Sequence, residues 1–166
     1  MKKVKLFTTI ASLCLAVALM AFGVYAATQV SYTVKGNISF NATALDGTWM
    51  YEVVKGTGCA TDVAKTNEGN TAVSLNFVDG ATTATFTVKA YFTPTTEVAT
   101  GTVTVVGVEK DNVTYGATTA GAWSTPKTES TAATIEVTVT VPEAQQGSNG
   151  TYEWEVTFTA TAGNAA

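Results

Sequence analysis

The sequence predicts an all-β protein, a single antiparallel β-sandwich of about eight strands that follows an N-terminal signal helix. Apolar and polar residues alternate through most of the chain after residue 29, and a period of two is typical of strands with one buried face. Asp-Gly and Asp-Asn pairs separate these stretches as turns. Threonine, with 33 of 166 residues, suits the solvent face of a sheet because it is both β-branched and polar. We expect the sandwich, of immunoglobulin-like or jelly-roll style, to span residues 27–166.

The first 26 residues have the three parts of a secretory signal peptide. Lys2, Lys3 and Lys5 form a positive start, an apolar stretch follows over residues 6–25, and Ala26 ends a Val-Tyr-Ala cleavage site. We expect this leader to be removed, although an uncleaved anchor of this length could also span a bilayer. In either form the rest of the chain is exported. This predicts a secreted protein at the cell surface or in the matrix, with no membrane contact apart from the leader.

The longest alternation opens the mature chain. Over Val30–Ala44 every even position is apolar or glycine and every odd position is polar, which predicts one half-buried strand. An Asp-Gly turn at 46–47 leads to a returning strand over residues 49–54. Residues 55–70 are predicted to form a loop, because glycine and polar residues interrupt the pattern there.

The middle of the chain contains the strongest hairpin signal. Alternating stretches over residues 73–77 and 84–92 flank Asp79-Gly80, a pair that tolerates positive φ. Further on, a change of apolar face beside Gly107 predicts a β-bulge. The remaining predicted elements are strands over residues 103–108, 113–115, 133–141 and 152–162, with loops over 116–130 and 142–150.

Composition and charge exclude several classes of function. The chain has no histidine and no arginine, which rules out imidazole-based catalysis and zinc sites that use histidine. Its net charge is −4, and removal of the three leader lysines makes the mature part more acidic. Nucleic acid requires a basic face, which the remaining lysines do not build. We therefore predict no enzyme, no catalytic residue, no cofactor and no metal site.

Two sets of carboxylates are predicted to be solvated rather than functional. Glu153 and Glu155 lie two residues apart on the outer face of the last strand, and nothing in the sequence desolvates either as glycoside hydrolysis would require. Asp62, Glu68 and Asp111 lack the spacing of a calcium loop. Calcium binding by these loop residues is left as the lesser alternative.

Two single residues are candidate contacts with other molecules. Trp123 is the large aromatic residue of the 116–130 loop, where its ring could stack on a sugar, anchor a protein partner or plug the open end of the sandwich. Cys59 is the one cysteine of the mature chain. It is therefore either buried as a small hydrophobe or available for an intermolecular disulfide.

The two ends of the chain resemble a family of exported Firmicute proteins. The leader ends in a sequence similar to the G-x-aromatic-A-A end of leaders cut by the signal peptidase SipW: Gly23-Val24-Tyr25-Ala26-Ala27. Trp154, Phe158 and Ala160 resemble the W-x-F-x-A-like pattern of the closing strand in TasA-type biofilm fibre subunits and camelysin. The resemblance implies a secreted β-sandwich without a cysteine framework. Camelysin's protease activity does not carry over, because the chain has no histidine to ligate zinc.

We expect the protein to associate with itself by strand addition, into oligomers or filaments. Gly36 divides the first alternating stretch, and the half that carries Val30, Tyr32 and Val34 could leave its own sheet and complete the sheet of the next subunit. Head-to-tail donation does not close, so it builds filaments. The alternative is a monomeric binding module or adhesin that recognises a glycan or a surface protein through its loops, with Trp123 as a contact.

Overall fold

A computed structural model describes residues 30–69 and 71–163 of the chain. This part contains ten β-strands and one 3₁₀ turn, Glu143–Gln145. The strands, in chain order, are β1 (Tyr32–Ala42), β2 (Gly47–Lys55), β3 (Val63–Asn67), β4 (Ala72–Asn76), β5 (Thr83–Pro94), β6 (Gly101–Gly107), β7 (Val113–Thr119), β8 (Gly121–Trp123), β9 (Ala133–Thr140) and β10 (Gly150–Ala162).

The ten strands form two five-stranded sheets. Sheet A has the order β4-β1-β10-β6-β8, and sheet B has the order β3-β2-β5-β9-β7. The all-β prediction is confirmed. Neighbouring strands of the described chain pair antiparallel, except that β1 and β10 run parallel. The antiparallel prediction is wrong for this pair because the whole domain separates its two strands, so no tight hairpin dictates their relative direction.

The hairpin predicted across Asp79-Gly80 is wrong, because β4 pairs with β1 in sheet A whereas β5 pairs with β2 and β9 in sheet B. The turn at 46–47 likewise connects β1 of sheet A to β2 of sheet B, so these Asp-Gly turns cross between the sheets and do not close hairpins.

The alternation of side chains determines which face of each strand is buried. Buried and more exposed residues alternate along β5, β9 and β10, as the sequence pattern predicts. Aromatic rings from the two inner faces meet between the sheets: Phe40 with Trp49 at 4.9 Å, Phe86 with Trp154 at 5.1 Å and Phe92 with Trp123 at 5.6 Å between ring centroids. The core therefore lies between the two sheets, as in a β-sandwich.

Two predicted loops contain strands. The 55–70 loop contains β3, and the 116–130 loop contains the end of β7 and all of β8. β3 does not alternate apolar and polar residues, and β8, which is Gly-Ala-Trp, is too short to show a period of two. Backbone pairing with β2, β9 and β6 defines them instead. They raise the number of strands from the predicted eight or so to ten.

The bulge predicted beside Gly107 is not formed. β6 keeps an unbroken register with β10 over its whole length. The change of face in the sequence arises because Val106 is an outward residue, 66% exposed, and not because the strand is interrupted. The register shifts that the described residues do contain lie after Tyr51 in β2 and after Tyr115 in β7.

The predicted signal peptide, residues 1–26, lies outside the described residues, and its cleavage stays a prediction. Across residues 30–69 and 71–163, none of the helical structure is long and apolar enough to cross a membrane.

Replacing Trp123 with alanine tests the core position of its ring. Trp123 is 4% exposed, contacts Phe92 and donates a hydrogen bond from Nε1 to the carbonyl oxygen of Val98 at 3.2 Å. Because the truncation leaves a cavity, we expect the free energy of unfolding to fall by about 3–5 kcal/mol in urea denaturation. Thr102→Ala, at an exposed position on the neighbouring strand, is the control and should change it by less than about 0.5 kcal/mol. Equal losses of stability in Trp123→Ala and Thr102→Ala would contradict the burial of the Trp123 ring.

Candidate assembly site

The strand predicted to join copies, β1, lies inside sheet A of its own chain. It pairs with β10 without a break, and Thr33–Asn37 also pair with β4 on the other side. Tyr32 and Val34 are 6% and 1% exposed, whereas Val30 is half-buried and precedes the strand. Tyr32 and Val34 therefore line the inner side of β1, and donation to another copy requires that this part of β1 leave its position.

Gly36 has a packing role that the alternation alone does not reveal. It lies opposite Trp154 of β10, and the indole covers it so closely that a Cβ on Gly36 would overlap the ring. Trp154 is 1% exposed and contacts Phe86 of sheet B. Among the described residues its Nε1 has no hydrogen-bond partner. β1 continues through Gly36, so this residue does not break the strand. The absence of a side chain at Gly36 makes room for the indole ring.

The loop before β10 fastens the beginning of β1. We call residues 145–150 the clasp. The backbone N–H of Gly147 donates to the hydroxyl oxygen of Tyr32 at 3.1 Å, and the N–H of Ser31 donates to Oδ1 of Asn149 at 2.9 Å. These bonds act in addition to the strand pairing, so the first residues of β1 cannot separate from β10 until the clasp opens.

The two other predicted contact residues are covered by the fold. Trp123 lies in β8 with its ring in the core, so its faces are not open to a glycan or a protein. Cys59 is 4% exposed, forms an isolated bridge with Phe77 and has its Sγ 3.6 Å from the carbonyl oxygen of Thr61. Burial raises the pKa of the Cys59 thiol, which lowers the thiolate fraction. The contact roles of both residues stay predictions, and each requires local opening.

A shallow polar cleft of about 350 Å³ lies on the outer side of β1 and β10. Lys35 and Glu153 line it, and Lys110 forms a 3.5 Å ion pair with Glu155 beside them. The two glutamates thus lie beside lysines near the surface of sheet A. Across residues 30–69 and 71–163, no group of three or more His, Cys, Asp or Glu side chains is placed to hold a metal ion.

The outer face of sheet B carries a charged network that the sequence did not reveal. Lys89 Nζ lies 3.1 Å from Glu52 Oε1, and the hydroxyl of Tyr91 donates to the same oxygen at 3.0 Å. Lys65 Nζ lies 3.8 Å from the centroid of the Tyr91 ring and 2.6 Å from Glu129 Oε1. The network joins β2, β3 and β5 to the loop before β9. Sequence analysis missed it because Lys65 fell in a predicted loop and the partners are distant in sequence.

The network shifts the pKa values of two of its members in opposite directions. The hydrogen bond from Lys89 lowers the pKa of the Glu52 carboxyl. Burial, with the hydrogen bond and charge of Glu52, raises the pKa of Tyr91 to about 12. The folded state therefore favours an ionised Glu52 next to a neutral Tyr91.

Comparison with known proteins gives no family assignment. No protein-family model matches the chain, and no curated protein matches it. The resemblance to TasA-type proteins therefore stays an expectation that rests on the leader and the last strand.

Placing a methyl group on Gly36 tests the contact with Trp154. In Gly36→Ala the new Cβ overlaps the indole, so we expect the free energy of unfolding to fall by about 1–3 kcal/mol. Gly69→Ala is the matched control, because a Cβ at Gly69 meets no atom within 4 Å, and we expect no loss of stability there. Urea denaturation followed by tryptophan fluorescence measures both. Equal effects of Gly36→Ala and Gly69→Ala on the free energy of unfolding would contradict the close contact between Gly36 and Trp154.

Alkaline pH tests the environment of Tyr91. Its pKa is about 12 in the fold and about 10 in an unfolded chain. A raised pKa stabilises the fold below pH 10, and this contribution disappears as the pH rises from about 10 to 12. We expect the melting temperature of Tyr91→Phe to fall less steeply over that pH range than the melting temperature of the wild type, because phenylalanine has no group that titrates. Thr87→Ala, on the same outward face of β5, should keep the wild-type profile, and an unchanged profile for Tyr91→Phe would contradict the assignment.

Proposed function

We propose that the chain is an exported bacterial protein that serves as a structural subunit of the cell surface or the biofilm matrix. Copies join head to tail when the half of β1 before Gly36 leaves its own sheet and completes sheet A of the next copy. This function depends on backbone hydrogen bonds and apolar burial, and it requires no catalytic group and no cofactor.

The position of β1 is the observation that carries the proposal. β1 is the first strand of the described residues, yet it has neighbours on both sides, β4 and β10. Once the predicted leader is removed, the half of β1 before Gly36 can leave the sheet without drawing any other described element through the fold. Its departure opens a slot between β4 and β10, and β1 of a second copy has the side chains that fit this slot.

Exchange replaces each interaction by an identical one from another copy. Tyr32 and Val34 again face the core, where each buried apolar side chain contributes about 1.5–3 kcal/mol. Because the closed monomer and the exchanged chain make the same contacts, the balance between them depends on protein concentration.

The clasp opposes exchange and sets its rate. Ser31 and Tyr32 must release Asn149 and Gly147 before the first residues of β1 can separate. We expect a protein that is monomeric when dilute and that assembles slowly when concentrated.

Sequence features outside the described residues support the same function. The predicted leader directs export, and the resemblance to TasA-type fibre subunits points to the matrix. An immunoglobulin-like or jelly-roll style of the sandwich is part of this proposal. Only 13% of the residues are charged, so electrostatic repulsion between copies is weak, and this favours association through strands.

Deletion of residues 27–35 tests the proposal. Without the first half of β1 a copy has nothing to donate, so we expect a soluble, less stable monomer that forms no filaments. Size-exclusion chromatography and negative-stain electron microscopy of the chain from residue 27 onward, with and without the deletion, measure the outcome. Polymerisation that is unaffected by the deletion would overturn the proposal.

Two controls separate exchange from other causes of assembly. A synthetic peptide of residues 27–35 should bind the deletion variant and raise its melting temperature towards that of the intact protein, because the peptide fills the part of sheet A that the deletion leaves empty. A reductant should leave the filaments intact. Filaments that dissolve in reductant would instead assign assembly to Cys59.

A further inference from the structure

The clasp contains the one Asn-Gly pair of the sequence, Asn149-Gly150. Asn149 is exposed to solvent, and Gly150 is the first residue of β10. An asparagine that precedes glycine is prone to deamidation, because glycine has no Cβ to keep its backbone nitrogen away from the neighbouring side-chain amide. The pair therefore carries a reaction that needs only water.

Deamidation of this pair proceeds in two steps. The backbone nitrogen of Gly150 loses its proton and bonds to the side-chain carbonyl carbon of Asn149, which closes a succinimide ring, and the side-chain NH₂ leaves with a proton as ammonia. Water then opens the ring at one of its two carbonyl carbons. One opening gives aspartate, and the other gives isoaspartate, in which the main chain runs through the former side-chain carbonyl. The net change replaces NH₂ by OH, and nothing is oxidised or reduced.

Ser31 holds both reacting groups in the closed clasp. Its N–H donates to Oδ1 of Asn149 at 2.9 Å, and its carbonyl oxygen accepts from the N–H of Gly150 at 3.3 Å. The ring closes only when the Gly150 nitrogen gives up the proton that it shares with Ser31 and the Asn149 side chain turns towards that nitrogen. The residue before β1 must therefore release both groups before they can react.

Isoaspartate cannot restore both bonds to Ser31. In isoaspartate the former side-chain carbonyl and the N–H of Gly150 belong to one peptide unit, and in a trans peptide these two groups point in opposite directions. The N–H and the carbonyl of Ser31 both face the clasp, so a single peptide unit can satisfy only one of them. Aspartate leaves the main chain unchanged, and its carboxylate can still accept from the N–H of Ser31.

We propose that Asn149-Gly150 is a self-modification site whose conversion to isoaspartate makes the opening of the clasp permanent. The closed clasp suppresses the reaction, and each opening exposes the pair to it. This inference goes beyond the proposed function and does not require strand exchange, because separation of Ser31 from the clasp is enough. In the proposed exchange, isoaspartate would hold β1 of its own copy and β1 of another copy equally weakly, so it changes the rate of exchange and not its balance.

The rate of deamidation in a loosened clasp tests the first part of the proposal. Tyr32→Phe removes the hydroxyl that accepts from the N–H of Gly147, and it leaves Ser31 and Asn149 unchanged. Peptide mass spectrometry follows the chain from residue 27 onward during incubation at mildly alkaline pH. We expect Asn149 to deamidate about fivefold faster in Tyr32→Phe, which is the rise in the open fraction that loss of one ordinary hydrogen bond produces.

Tyr91→Phe is the matched control, because it also removes a hydroxyl hydrogen bond, but on the outer face of sheet B. Asn149 should deamidate in this variant at the wild-type rate. A synthetic peptide of residues 143–152 gives the rate of an open Asn149-Gly150 pair. Protection by the clasp is overturned if the wild type reacts as fast as this peptide, if Tyr32→Phe reacts no faster than the wild type, or if Tyr91→Phe accelerates the reaction equally.

Hydrogen exchange tests the second part, the permanent opening. The product gains a negative charge, so ion-exchange chromatography separates it, and electron-transfer fragmentation identifies the isoaspartate form. We expect this form to lose the protection of backbone N–H groups over residues 30–34, and we expect Asn149→Asp to keep it. An isoaspartate form that is protected like the wild type, or an equal loss in Asn149→Asp, would overturn the permanent opening. Filament formation by the deletion variant that lacks residues 27–35 bears on the proposed function alone.

Discussion

Sheet A is held together by the parallel pairing of β1 with β10. β4 joins the sheet only through β1, and β6 and β8 join it only through β10. Loss of this one pair would therefore divide the sheet into a two-stranded and a three-stranded piece, each with a new open edge. The pair is secured from the inside by the Trp154 ring over Gly36 and from the end by the clasp. Both the stability of the closed monomer and the proposed route to assembly depend on these contacts.

Glycine within a strand serves the same purpose at more than one place in the sandwich. Gly101 lies opposite Trp123, and a Cβ there would overlap that ring, as at Gly36 with Trp154. A Cβ on Gly107 would likewise overlap the ring of Tyr115. A large ring thus covers backbone that has no side chain of its own, which compensates for the weak strand propensity of glycine. The fold pairs small and large residues between strands where a sequence pattern shows only an interruption.

Local pattern was enough to predict the long strands and their buried faces, and it was not enough to predict pairing. The inward residues of β5, β9 and β10 could be predicted from period-two alternation because each of these strands has one buried face. β3 escaped prediction because its residues do not alternate, and β8 because three residues are too few to show a period of two. The parallel direction of β1 and the burial of Trp123 depend on partners far along the chain. No short stretch of the sequence contains information about these distant partners.

The pairing of the first strand with the last also affects when the fold can form. Ser31 and Asn149, which bond to each other at the start of this pair, are 118 positions apart in the chain. A ribosome produces β1 long before β10, and contacts of such high sequence separation form slowly. Until β10 has been synthesised, β1 lacks its main partner and sheet A stays open. The topology thus delays the closing of sheet A until β10 has left the ribosome.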